Sequence, residues 1–241
     1  MVMVTDIKTL YDAGAHFGYP RTRRHPTSSP FLYTTKDRTD IFDLEETQKR
    51  LDAARTFISS LAAQGKMVLF VGGKHEAVSI VKEMAEKIGA PYVAGRWIGG
   101  TLTNFKNIRK RIERLTKLMQ DRESGELDKY TKRERLMIDR EIDELLARFG
   151  GLVKMTDLPA ALVIVDTRHE DTAVREAKQL SIPVIGLASS DCDFALVKYP
   201  IPANDTSVRS IRLIMKEIAG AYAEGKKNQN VNIKNQNDNV K

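Results

Sequence analysis

A single cysteine, Cys192, serves a chain of 241 residues, so no internal disulfide can form and stability must come from a buried core. No stretch is long and apolar enough to span a bilayer. The segment from Met1 to Asp6 lacks a charged region, a long apolar run and a small-residue cleavage site, so a soluble intracellular protein is expected. Cys192 has no cysteine partner, and His16, His25, His75 and His169 show no zinc-ligand spacing. His169, Asp171 and Ser189 or Ser190 bring no nucleophile-elbow sequence with them, which argues against catalysis. The glycine fingerprint of dinucleotide sites and the Walker phosphate loop are both missing. Val71-Gly72-Gly73-Lys74 stands where doubly wound sheets bind phosphate, yet it reads better as a tight turn.

What is present is positive charge. Lys and Arg number 39 against 32 Asp and Glu, a formal charge of +7. Such a balance favours nucleic acid or an anionic membrane surface as partner. The hydrophobic share is 41% and the charged share 29%, which fits a folded domain carrying an exposed charged appendage. Length alone allows one large α/β domain or two small ones.

Periodicity gives the architecture. Continuous apolar runs at 67–71, 160–165 and 183–188, with shorter ones at 92–94 and 199–201, read as strands buried on both faces of a parallel sheet. Helices are expected from a Thr5 cap to Gly14, from Asp43 with a capping box to Gly65, from 74 to 88, after the polar loop Asp166 to Asp171, and from 205 to 223. A hairpin is expected around Lys36-Asp37-Arg38. The segment from His16 to Pro30 carries Arg21, Arg23 and Arg24 between prolines and is expected to be irregular and stiff, which suits guanidinium contacts to phosphate. Between 103 and 149 no strand candidate occurs. Ile108, Ile112, Leu115 and Met119 form one apolar stripe, and Leu136, Ile138, Ile142, Leu145 and Phe149 another, the pattern of an antiparallel helical hairpin. The expected division is an α/β domain at 1–102 and 150–225, an inserted coiled-coil hairpin at 103–149 and a disordered Asn-rich tail at 226–241. The fold class is a three-layer αβα, Rossmann- or flavodoxin-like domain with a mainly parallel sheet.

Two clusters are candidates for a site. The first is Arg96-Trp97-Ile98-Gly99-Gly100-Thr101-Leu102-Thr103-Asn104-Phe105 with the basic helix behind it: Arg96 to Lys117 holds seven Lys or Arg and one acid, Glu113. Lys106, Arg109 and Lys110 lie at its start, and such a density suits a polyanion through counterion release. Trp97 either stacks on a base or packs under the loop. The second cluster is Asp166, Asp191, Asp193 and Asp205, expected at carboxyl ends of strands. These acids either serve as caps and loop charges or share a structural magnesium ion; no other cofactor is expected.

The Arg96-to-Phe105 stretch resembles the signature of the bacterial small-subunit ribosomal protein S-two family. So do, in order, His16-Phe17-Gly18, Thr22-Arg23-Arg24, Phe42-Asp43-Leu44, Phe70-Val71-Gly72 with Lys74, Gly150-Gly151, Leu158-Pro159, Ile182-Pro183-Val184, Ile201-Pro202, Asn204-Asp205 and Arg209-Ser210-Ile211. Tyr19, His25 and Ser189-Ser190-Asp191 depart from the usual pattern of that family. The resemblance implies a non-enzymatic, cytoplasmic constituent of the small ribosomal subunit acting in translation. It would bind rRNA at the head–body junction near the mRNA exit and support docking of the large mRNA-binding S-one protein. The expected RNA contacts are Arg21, Arg23, Arg24, Lys74, Arg96, Trp97, Asn104, Lys106, Arg109 and Lys110, with charge reversal at Arg23 and Arg24 weakening RNA association and sparing the thermal transition. The competing readings are a nucleotide- or phosphosugar-binding enzyme with a dimerising hairpin, and a hairpin scaffold that binds no RNA.

Overall fold

The computed structural model describes residues 6–238, with side chains through 229. Thr5, read as a helix cap, lies outside the described residues, and Asp6 stands at the N-cap of α1 (Ile7–Asp12). The segment expected to be irregular carries a short strand, β1 (Phe17–Pro20), and then 3-10 turns at Arg21–Arg23 and Pro26–Phe31. β1 is an edge strand, where Pro20 costs no ladder bond. β2 (Leu32–Lys36) and β3 (Thr39–Phe42) form the expected hairpin, and Asp37 and Arg38 turn it with positive φ of 49° and 65°. Asp43 caps α2 (Leu44–Ala63) by accepting from Glu45 N at 2.9 Å. Glu46 does not complete a capping box; it pairs with Lys49 and Arg50.

The main sheet contains β4 (Val68–Val71), β5 (Tyr92–Val93), β6 (Ala161–Val165), β7 (Val184–Ala188) and β8 (Tyr199–Pro202), all parallel in the order β5-β4-β6-β7-β8. Every residue of β4, β6 and β7 is buried, which explains why their sequences do not alternate. Pro200 and Pro202 are tolerated because β8 is an edge. Phe70, Val163 and Ile185 point to one face, against α1, α2, α3 (His75–Ile88) and α7 (Val208–Asp238). Leu69, Val71, Leu162 and Ile164 point to the other, against Trp97, α6 (Asp171–Gln179) and the helical hairpin.

That hairpin consists of α4 (Phe105–Glu123) and α5 (Lys132–Phe149). Arg109 reaches the Met155 carbonyl at its base and Arg114 pairs bidentately with Glu141 halfway along, so the helices run antiparallel. Its seam is Ile108, Ile112, Leu115 and Leu118 against Ile142, Leu145 and Phe149. Leu118 takes the place expected for Met119, which is only partly buried, and Leu136 is exposed. The seam is continuous with the core under Trp97 rather than separate from it.

The last helix extends past the expected end at 223, through the Asn-rich segment expected to be disordered, as far as Asp238. Gly225 lies against the Ser59 carbonyl, Lys226 Nζ donates to the Ile88 carbonyl at 3.1 Å, and Gln229 covers Gly65. These contacts with α2 and α3 give the start of that segment tertiary support that its composition hides. Among the described residues, no helix is long and apolar enough to cross a membrane.

Candidate nucleic-acid interface

Parallel strands bring all their carboxyl ends to one edge of the sheet, and the chemistry-bearing loops collect there. Lys74 follows β4, Arg96 follows β5, Asp166 follows β6, Asp191 follows β7 and Asp205 follows β8. Gly73 permits the closest approach at this edge. A Cβ there would lie 2.5 Å from the Gly95 carbonyl oxygen, and its N–H donates to Glu170 Oε1 at 2.9 Å.

The interior of the edge is a neutralised cluster. Lys74 Nζ lies 3.0 Å from Asp166 Oδ2 and 3.1 Å from Asp205 Oδ1, and it donates to the Tyr19 hydroxyl at 3.1 Å. Only 13% of the Lys74 side chain is exposed, and none of Asp205. Burial works against the Lys74 charge, but Asp205 and Asp166 outweigh it and hold its pKa above the ordinary lysine value. Burial likewise opposes ionisation of Asp166, yet the His169 N–H bond and Lys74 keep its pKa low. Asp205 receives no such N–H bond. Burial and the neighbouring Asp166 push it up to about 7. The expectation that Lys74 is free to meet RNA is therefore corrected: two buried carboxylates take up its charge.

The same cluster carries the atoms that a metal ion would need. Asp166, Cys192 and Asp205 each offer a ligand atom, all within 4.8 Å of one another. Asp191 turns away to Arg23 and Arg168, and Asp193 accepts from Thr27 and Ala195 N, so the four acids do not converge as a magnesium set. Lys74 stands between the two carboxylates that do meet, and the third group is a thiol that burial raises to about 12. A hard cation requiring oxygen ligands and water fits this arrangement poorly.

The exterior of the edge is cationic. Arg23 lies 4.2 Å over the Tyr19 ring and pairs with Asp191 Oδ2 at 3.1 Å, and Arg168 pairs with the same oxygen at 2.9 Å. Both guanidiniums stay more than half exposed, at 52% and 55%. Arg21 is exposed. Arg24 differs from its neighbours: it donates to Thr35 Oγ1 and forms a bidentate pair with the fully buried Asp40, and the hydrogen bond to Asp40 raises its pKa further. Sparing of the thermal transition on reversal of Arg24 is thus corrected, because reversal would strand Asp40 in the interior.

Arg96 is exposed and lines, with Trp97, Gly99, His169, Glu170 and Thr172, a cleft of about 630 Å³. Arg23 and Arg168 line a second cleft together, and His169, which shares the first with Arg96, is the next residue after Arg168. Asn104, Lys106 and Lys110 are exposed where α4 leaves the body, whereas Arg109 is engaged with Glu113 and the Met155 carbonyl. Trp97 is 8% exposed and packs in the core, so of its two readings the structure selects packing.

The residue that organises this loop is one the sequence did not single out. Glu176 of α6 accepts from Trp97 Nε1 (3.1 Å), Gly100 N (2.7 Å), Leu102 N (3.0 Å), Thr103 N (3.1 Å) and Thr103 Oγ1 (3.2 Å). Burial opposes its charge, but these donors, Trp97 first, hold its pKa below the usual carboxylate value. Gly100, at φ 86°, gives the turn that brings the backbone N–H groups round to it. The available signal was an acid on the apolar face of α6, beside Ala173, Val174 and Ala177. Asp40 and Arg168 were missed as well; nothing local marks them, because their partners are brought in by the hairpin and by β7.

Comparison with known proteins adds an independent line. Residues 10–225 match the family model described as Ribosomal protein S2. The chain is 43% identical over 226 residues to the small ribosomal subunit protein uS2 of Coprothermobacter proteolyticus, covering 94% of this chain and 84% of that one. It is 43% identical over 218 residues to the protein of the same name from Chloroherpeton thalassium, covering 90% and 87%. For Nocardia farcinica the identity is 42% over 225 residues, covering 93% and 79%.

Proposed function

The chain belongs to the ribosomal protein S2 family, and from that premise we propose that it binds small-subunit rRNA through the outward cations of the sheet's carboxyl edge and the root of the hairpin. As a member of that family it is a structural, non-enzymatic component of the small ribosomal subunit. The observation that carries the RNA reading is the rim itself: Arg21, Arg23, Arg168 and Arg96 in the loops, then Asn104, Lys106 and Lys110 where α4 begins. Exposed guanidiniums suit bidentate phosphate contacts. The deep groove of A-form RNA hides base edges, so recognition rests on phosphate positions and shape. A seat at the head–body junction near the mRNA exit, and support for docking of the S-one protein, rest on the family resemblance. The enzyme reading loses its chemistry, since Lys74 is bound up in ion pairs and the edge carries no activated nucleophile.

Co-sedimentation tests the proposal. Full-length protein should migrate with small subunits, and subunits depleted of it should lose S-one. Protein that stays at the top of the gradient at low salt would overturn the reading.

A further inference from the structure

The amino ends of β4 and β6 lie at the opposite edge of the sheet. Here an open cleft of about 600 Å³ is lined by Lys66, Lys154 and Lys226, with Asp157 the one carboxylate among the lining residues. Lys66 and Lys154 are exposed and Lys226 is half-buried. No ion pair joins any of the three to a carboxylate among the described residues. Asp157 instead accepts from its neighbour Thr156.

The cleft is held in shape. Lys226 Nζ donates to the Ile88 carbonyl at 3.1 Å and lies 4.8 Å from the centre of the Tyr222 ring, and the Tyr222 hydroxyl donates to the Lys66 carbonyl at 3.3 Å. Burial, and then the charge of Lys154, hold the Lys226 pKa below the ordinary lysine value. Two ammoniums thus repel across a space that contains too little negative charge, and an anion placed there would relieve both. Such a group differs from the interior of the carboxyl edge, where each cation has its carboxylate.

We propose that this cleft is a second phosphate-binding surface for ribosomal RNA, on the edge opposite the arginine rim. The inference rests on the rRNA-binding reading above. Lysines act as point charges on phosphate and carry no base readout, so the contact fixes position rather than sequence.

The test is the salt dependence of full-length protein binding to small-subunit rRNA. Lys66→Gln/Lys154→Gln should weaken binding and make the slope of log K against log salt shallower by about 1.5, as two phosphate contacts are lost. Lys66→Arg/Lys154→Arg should restore the slope. Lys178→Gln/Lys198→Gln removes the same charge from exposed positions elsewhere and should leave the slope unchanged. A slope that does not respond to the cleft variant, or responds equally to both glutamine pairs, overturns the inference. If neutralising the arginine rim still weakens binding in that case, the broader rRNA reading stands; if neither edge matters, both fall. Thermal unfolding of each variant confirms that the comparison is between folded proteins.

Discussion

Two sets of cations share the carboxyl edge and face opposite ways. Lys74 and Arg24 turn inward onto Asp205 and Asp40, which are themselves fully buried. Arg21, Arg96, Lys106 and Lys110 turn outward. The difference is set by the partner. A carboxylate removed from water cannot stay ionised without its cation, so the cation is committed to the fold. An exposed ammonium or guanidinium keeps its water and releases counterions when a phosphate arrives. Arg23 and Arg168 stand between these cases, sharing Asp191 while more than half exposed. On the proposed reading, a count of basic residues therefore overstates the RNA surface, and the buried acids identify which ones to subtract.

The comparison is broken most severely at Lys74. Lys74→Met should cost about 3–5 kcal/mol, because it leaves Asp166 and Asp205 without a counter-charge. That corresponds to roughly 10 °C in thermal unfolding, with little change in the RNA affinity of the folded protein. Glu176→Gln should cost about 2–3 kcal/mol, since an amide nitrogen then faces donors that had a carboxylate. Trp97 fluorescence should shift red as the loop loosens. RNA affinity should fall with it, because the loop positions Arg96.

The pH dependence sharpens the same contrast. Folded Asp205 titrates at about 7 against an ordinary 3.8, so between those values the folded state holds a proton that the unfolded chain has lost. Its contribution thus favours folding at low pH and disappears as pH rises towards 7. Asp205→Asn should flatten that decline in urea titrations made at pH 5 and pH 8. An unchanged pH profile would mean that another group drives it. The smallest effect on stability should come from Arg21→Gln/Arg23→Gln, about 0.5 kcal/mol or less, together with a clear loss of RNA affinity.

The sheet was legible because strands buried on both faces leave continuous apolar runs at 68–71, 161–165 and 184–188. Helices α4 and α5 were legible from their two stripes, although the buried residues include Leu118 and not Leu136. The site was legible only as a set of charges. Trp97 meets Glu176 from 79 residues away, and Lys74 meets Asp166 from 92, so no local pattern could pair them. Arg24 and Asp40 are closer in sequence, but it is the pairing of β1 with β3 that brings their segments together. The end of the last helix was hidden for the same reason: Lys226 donates to the Ile88 carbonyl and Gln229 covers Gly65, and no local pattern marks either contact.

One measurement tests the division between inward and outward cations most directly: the salt slope of rRNA binding for Arg21→Gln/Arg23→Gln/Arg96→Gln beside that for Lys74→Met. The triple variant should bind with a slope shallower by about 2 to 3, and Lys74→Met, once folded, with the slope of the unaltered protein. Equal slopes for the two variants, or no change in the triple variant, would contradict the account.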